Sequence, residues 1–216
     1  MGPADLDLGP LHDLQLSTPR LELRLGSRDE LAALGRLAEE GIHPPDEMPF
    51  AVAWTDRIGQ ADFVDSVVEF HETALRDWRP EDWMLNLLVF AEGELAGSQS
   101  IGADDFSATK TVNTGSWLGR RYQRRGYGTE MRAAVLDLAF SGLGAESAIS
   151  GAVVGNEASK RVSEKLGYRV TGMSTVSPRG EAVPHFDLRI DRVQWRPPFS
   201  VEIRGLEACL QFFGVT

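Results

Sequence analysis

Apolar residues recur at two periods along this chain, and the switches between them lay out its elements. LELRL, about residues 21–25, alternates as a short strand. Ser27 then stands in a capping position, and Leu31, Leu34 and Leu37 share one face of a helix running to about Glu40. Residues 41–57, GIHPPDEMPFAVAWTDR, carry Pro44-Pro45 and several aromatics; a helix does not survive that pair, so an ordered loop is predicted. Phe63, Val67, Phe70 and Ala74 follow at spacings of four, three and four, the face of a second amphipathic helix. MLNLLVFA and ELAGSQSI flank Glu92-Gly93 as a β-hairpin, and TVNTGSWL, about 111–118, makes a third strand in series. Met131, Ala134, Val135, Leu138 and Ala139 carry the strongest helical period in the chain. SAISGAVV, about 147–154, reads as a strand of small and β-branched residues. Asn156 caps a short helix with Ala158, Val162 and Leu166 inward and Gly167 just past its end. YRVTGMSTV and HFDLRI add the last two strands. The order predicts an α/β (α+β) protein: one mixed, mostly antiparallel sheet of about seven strands with helices on both faces. Residues 1–16 read as a loose lead-in and 191–216 as a C-terminal extension of a single domain spanning 1–216, with room there for a strand and a short helix.

Composition narrows the classes of function. Of 216 residues, 42% are hydrophobic and 25% charged, an ordinary globular balance. The single Cys209 leaves no disulfide framework or thiolate metal cluster, and no His/Asp/Glu spacing looks like a metal site. Neither a signal peptide nor a membrane-spanning stretch is visible, so a cytoplasmic setting is expected. A net charge of -10 argues against nucleic-acid or anionic-membrane binding and suits a cationic partner such as an amine. A homo-oligomer is compatible with the chain.

Against that acidity, the run GRRYQRRGYGTEMR holds Arg120, Arg121, Arg124, Arg125 and Arg132 and one acid, Glu130. Gly126 and Gly128 allow a tight turn and bring bare N–H groups near a ligand. The helix starting at about Gly128 leaves its first N–H groups unpaired, with a favourable macrodipole for an anion. Such a loop suits phosphate. It is no P-loop, because no Gly-Lys-Ser/Thr follows, and no dinucleotide fingerprint, because position 131 is Met. A plain turn with solvated arginines is the competing reading of the loop by itself.

Context identifies the loop further. GSWLGRRYQRRGYGTEMRAAVLDLAF resembles the acyl-CoA loop of the GNAT superfamily of N-acyltransferases. STPRLELR, SWLGRRYQRRGYGTE and NEASKRVSEKLGYRVTG, in that order and spacing, resemble its RimJ/RimL-type branch over most of residues 17–190. IHPPDEMPFAVAWTD and DDFSATKTVNTGSWLG are similar to an actinobacterial subgroup that includes succinyl-CoA-using members. The resemblance implies acetyl-CoA or another acyl-CoA as cosubstrate, no metal, and an amine acceptor, either a protein N-terminus or a small molecule. It implies that backbone N–H groups of Gln123, Arg124, Arg125, Gly126, Tyr127, Gly128 and Thr129 hold the pyrophosphate, with the Arg124 and Arg125 side chains beside it. Trp117 and Leu118 would pair with the pantetheine arm, and the Leu118 N–H would polarise the thioester carbonyl. Asn156 would contact the pantetheine amides, and Ser159 would approach the sulfur and protonate the departing thiolate. Asn156 also reads as a plain helix cap, and Ser159 as a surface hydroxyl.

The pattern fails at the acceptor side. Attack needs a neutral amine and so a base. The branch places a Glu about 19 residues past the Ser, where this chain has Pro178; the tyrosine acid of other members would fall at Ser163. Asp46, Glu47, His43, Glu181 and His185 are the base candidates, with His71 and His12 weaker. Catalysis by alignment alone, and a non-catalytic acyl-CoA binder, are the alternatives this gap leaves open. Phe50, Trp54, Trp78 and Trp83 read as core or as the wall of an acceptor pocket.

Overall fold

A computed structural model describes residues 7–215. In chain order its strands are β1 (Gln15–Ser17), β2 (Leu21–Arg24), β3 (Asp82–Ala91), β4 (Glu94–Asp104), β5 (Thr111–Leu118), β6 (Ser147–Val153), β7 (Arg169–Val176), β8 (Val183–Asp191) and β9 (Glu202–Arg204). The helices are α1 (Arg28–Glu39), α2 (Phe63–Arg76), the single turn α3 (Phe106–Thr109), α4 (Tyr127–Asp137) and α5 (Glu157–Lys165). All nine strands form one sheet in the order β7-β8-β6-β5-β4-β3-β2-β1-β9. Every pairing is antiparallel except β5 with β6, which α4 connects as a crossover.

Local chemistry sets the element ends. Ser27 accepts from the Glu30 N–H, and the Glu30 carboxylate accepts from the Ser27 N–H, a complete capping box. Glu92 and Gly93 both take positive φ, 54° and 82°, which a two-residue hairpin turn requires. Asn156 Oδ1 accepts from the Ser159 N–H at 3.1 Å and caps α5.

Three expectations are corrected. The sheet has nine strands and not about seven, because β1 and β9 extend its far edge. Residues 9–16 are no loose lead-in: Gly9–Asp13 form a 3-10 turn, and Leu11, Leu14 and Leu16 are fully buried (residues 1–6 lie outside the described part). Two helices also depart from the expected inward faces. On α2, Phe63, Val67, Val68 and His71 are buried while Phe70 is 60% exposed, so the neighbouring position 71 takes up the same period. On α5, Val162 and Leu166 pack inward as expected, but Ala158 is exposed and Ser163 joins the buried face.

The helices cover opposite faces. Gly119 sits against Leu37 of α1, whereas Gly128 of α4 sits beside Leu118. Adjacent strand residues point to opposite faces, so α1 and α2 lie on one side and α4 on the other.

Candidate active site

The sheet opens where its one parallel pair ends. β5 and β6 are in register only from Thr111↔Ser147 to Asn113↔Ile149, although β5 continues to Leu118 and β6 to Val153. Beyond that point the two strands diverge around a gap. The Gly119 N–H donates to Ala96 O at 2.9 Å, and Trp117 lies opposite Ser98. Antiparallel alternation therefore turns the N–H groups of Gly115 and Trp117 towards β4 and those of Ser116 and Leu118 into the gap. The Leu118 position thus suits an oxyanion donor. The Trp117 peptide N–H faces the neighbouring strand, so only its ring is near the site.

The arginine loop lies at the end of β5. Gln123 closes the junction: its Nε2 donates to Leu118 O at 2.8 Å and to Ile42 O at 2.7 Å, and its N–H to Arg120 O at 3.3 Å. The chain then turns through Arg124 (φ 60°) and Gly126 (φ 86°) into α4. A Cβ at Gly126 would lie 3.2 Å from the Arg20 guanidinium, in a backbone state that side chains rarely adopt. Among the described residues, the N–H groups of Arg124, Arg125, Gly126, Tyr127 and Gly128 have no protein acceptor, whereas Thr129 and Glu130 donate back to Gly126 O. Five successive free donors at a helix start form an anion nest. The arginines divide by partner. Arg121 pairs with Glu40, and Arg132 is buried elsewhere. Arg124 and Arg125 are exposed, with no carboxylate partner among the described residues.

A brace absent from the sequence reading holds this nest. The buried Glu130 carboxylate accepts from Thr18 Oγ1 (2.7 Å), the Arg20 N–H (3.0 Å) and Arg20 Nε (2.7 Å). Arg20 also donates to Arg125 O at 3.0 Å and lies over the Tyr127 ring. The Thr-Pro-Arg ahead of β2 and the lone acid of the loop were both visible in sequence; their pairing across more than a hundred residues was not.

On the α1/α2 face, loop 41–57 covers the approach to the gap. Trp54 packs between Phe50 (5.4 Å), Trp117 (5.5 Å) and Phe63 (6.2 Å). Trp78 and Trp83 lie apart from them, in the core with Phe213. Besides the Gln123 bond to Ile42 O, the loop is tied down by Arg179, which binds Asp56 at 2.6 and 2.8 Å, and by Asn156 Nδ2, which donates to Pro49 O at 3.2 Å. Asn156 is therefore both cap and bridge. Ser159, in the first turn of α5, is half-buried and its hydroxyl has no protein partner among the described residues.

Of the base candidates, His43 is held by Thr55 Oγ1 and Pro44 O, both at 2.8 Å. Asp46, Glu47 and Glu181 are exposed, and His12 lies in the N-terminal turn. Burial among apolar side chains pulls His71 down to about 4 on α2. His185 differs. Strand register puts it on the Trp117 face with Asp187 and Gly151. Its ring lies directly over Gly151, where a Cβ would come within 2.4 Å of Nε2. Nδ1 faces Ser174 Oγ (3.5 Å) and Asp187 (3.6 Å), and Ser174 donates to Asp187 at 2.7 Å. The side chain is only 18% exposed, and Nε2 has no protein partner among the described residues.

The comparisons with known proteins agree with this geometry. Residues 20–169 match the acetyltransferase (GNAT) domain family model. Solved structures with the same fold include RimJ of Mycobacterium smegmatis in complex with CoA-disulfide, at 20% identity and a TM-score of 0.67 over 94% of this chain and 95% of that one. A ribosomal-protein-serine acetyltransferase of Vibrio cholerae aligns at 20% identity and 0.64 over 82% and 97%. The ribosomal alpha-N-protein acetyltransferase RimL, solved with coenzyme A, aligns at 17% identity and 0.62 over 79% and 94%. With the family model matched over most of its length, and with strands that part beside an open anion nest, this chain belongs to the GNAT acetyltransferase family.

Proposed function

We propose that this enzyme, of the RimJ/RimL type, moves an acetyl group from acetyl-CoA to a primary amine by direct attack within a ternary complex. The observation that carries this reading is the gap between β5 and β6, with the Leu118 N–H turned into it and five free N–H groups at its end. The pyrophosphate is taken up by the Arg124–Gly128 nest, with the Arg124 and Arg125 side chains beside it. The pantetheine arm continues along the free edge of β5, near Asn156 and Ser159, and the Leu118 N–H receives the carbonyl oxygen as it becomes an oxyanion.

The amine enters from the other face, past Phe50 and Trp54. His185 is the base: an Nδ1–H donated to Ser174, itself bonded to Asp187, leaves the Nε2 lone pair free to take the ammonium proton, directly or through one water. The acceptor class follows from RimL, which is an alpha-N-protein acetyltransferase: a protein N-terminus is the first choice and a small primary amine the second. The lone, buried Cys209 suits a reducing cytoplasm.

Steady-state assays with acetyl-CoA and succinyl-CoA against N-terminal peptides, lysine peptides and small amines test the reading. Amine-dependent CoA release, faster with acetyl-CoA, is expected. Faster release with succinyl-CoA reassigns the donor. Tight CoA binding without release for any amine overturns the enzymatic reading in favour of a binder.

A further inference from the structure

Arg132 is the most unusual charge in the molecule. It sits on α4 and is 3% exposed, yet it has no carboxylate partner among the described residues. Its Nη1 donates to Ser163 Oγ at 2.9 Å and Ser150 Oγ at 3.3 Å, and its Nη2 to Ser116 Oγ at 3.1 Å; its Nε has no partner at all. These serines come from α5, β6 and β5, so the guanidinium lies where the two strands part. Burial pushes Arg132 down from its usual range, and it pushes the nearby Tyr168 phenol up, so Tyr168 stays neutral and supplies no counter-charge. A buried cation bonded only to neutral hydroxyls is costly, unless a negative charge arrives during function.

The serine protons show where that charge would arrive. Ser150 donates its proton to Thr114 O at 3.0 Å, and Ser163 to Ser159 O at 3.2 Å. Ser116 alone of the three has a hydroxyl proton with no acceptor among the described residues, and it is half-buried at the edge of the gap. Its oxygen accepts from Arg132, which polarises that proton outwards.

We infer that Arg132, acting through Ser116, stabilises the thiolate that leaves acyl-CoA. This rests on the acyl-CoA reading above. The two faces of the gap assign the sides: His185 and the tryptophans lie on one, and α4 with its anion nest on the other. An acyl chain delivered from the nest keeps its sulfur on the α4 side of the carbonyl carbon, while the amine approaches from the opposite side. The amine nitrogen bonds to the carbonyl carbon, the C–S bond breaks, and its electron pair stays on sulfur. The Ser116 O–H donates a hydrogen bond to that sulfur while remaining attached to its oxygen. The proton lost by the amine passes to His185, and the thiolate is protonated on release. Ser116 touches the reacting atom; Arg132 is a positioning residue.

CoA alone suffices for the test. The thiol of CoA bound to the full chain is titrated by thiolate absorbance, with binding followed by calorimetry. Wild type is expected to make the bound thiol about tenfold or more acidic than free CoA. Arg132→Met and Ser116→Ala each abolish that gain while CoA still binds, and Arg132→Lys restores part of it. A purely structural Arg132 would change stability and affinity and leave the thiol titration alone. Should Arg132→Met not fold, Ser116→Ala keeps the cation in place and carries the test. Wild-type and Ser116→Ala proteins that titrate bound CoA alike overturn the inference. Absence of CoA binding to wild type instead overturns the functional reading on which it rests.

Discussion

The two faces of the β5/β6 gap are built from different materials. On the α4 face the site is backbone: five free N–H groups within one short stretch, shaped by Gly126 and the start of a helix. On the α1/α2 face it is side chains drawn from distant parts of the chain: Phe50 and Trp54 from a loop, Trp117 from β5, His185 and Asp187 from β8, Ser174 from β7. A backbone site needs a local sequence that makes a turn, and it serves any cosubstrate that carries the same pyrophosphate handle. A side-chain site can be changed one residue at a time, which is where acceptor choice can vary while the fold is kept.

Substitutions on the two faces should therefore separate in kinetics. The largest effect is expected for His185→Gln. It should lower kcat by about 100- to 10,000-fold and leave CoA affinity unchanged. Steady-state rates with calorimetric CoA binding check this; an unaltered kcat would assign the base elsewhere. Gly128→Val should do the converse. Its first side-chain carbon has ordinary room, 3.5 Å from Val162, so the fold stands. The added methyls enter the phosphate's place and should weaken CoA about 100-fold, the loss of one or two charge-assisted hydrogen bonds, while acceptor KM holds. Gly126 is the poorer probe, because its positive φ adds backbone strain.

Smaller effects sharpen the boundary. Arg179→Ala frees Asp56, and with it loop 41–57, from the β7–β8 turn and should raise acceptor KM several-fold with CoA affinity constant. His71 packs from α2 near Asn86 of β3, away from the β5/β6 gap, and should leave kinetics alone while shaping stability. Its folded value of about 4 lies below its unfolded 6.5. The fold therefore disfavours the protonated form, and stability should drop by about 3 kcal/mol as pH falls from 6.5 towards 4. Thermal melts across that range should show the slope, and His71→Gln should flatten it.

The same contrast explains what was legible in the sequence. Helix and strand periods, the Glu92-Gly93 turn, the Asn156 cap and the arginine-glycine loop are local, and each was readable from a few residues. The brace of Arg20 on Glu130 and the serine shell of Arg132 depend on residues up to 112 positions apart, between Thr18 and Glu130. Spacing carries no record of such contacts. Arg132 follows the loop's cations closely in the sequence, yet four residues beyond Gly128 helix geometry turns it inwards. Phe70 reads as inward in the sequence because one apolar period admits two neighbouring faces, and Val68 and His71 take the inward one. The base stays open in the sequence because the position that the family resemblance assigns to it holds Pro178 here. The placing of the His185 ring over Gly151 depends on the pairing of β6 with β8, which no spacing records.

The central claim is that the nest at the start of α4 holds a CoA pyrophosphate. Calorimetric titration of the wild-type chain with CoA and with pantetheine, which has the same thiol and amides but no phosphates, tests it most directly. The account predicts that CoA binds about 100-fold or more tightly than pantetheine, and that Gly128→Val largely removes the difference. Equal affinities for the two, in wild type, would contradict it.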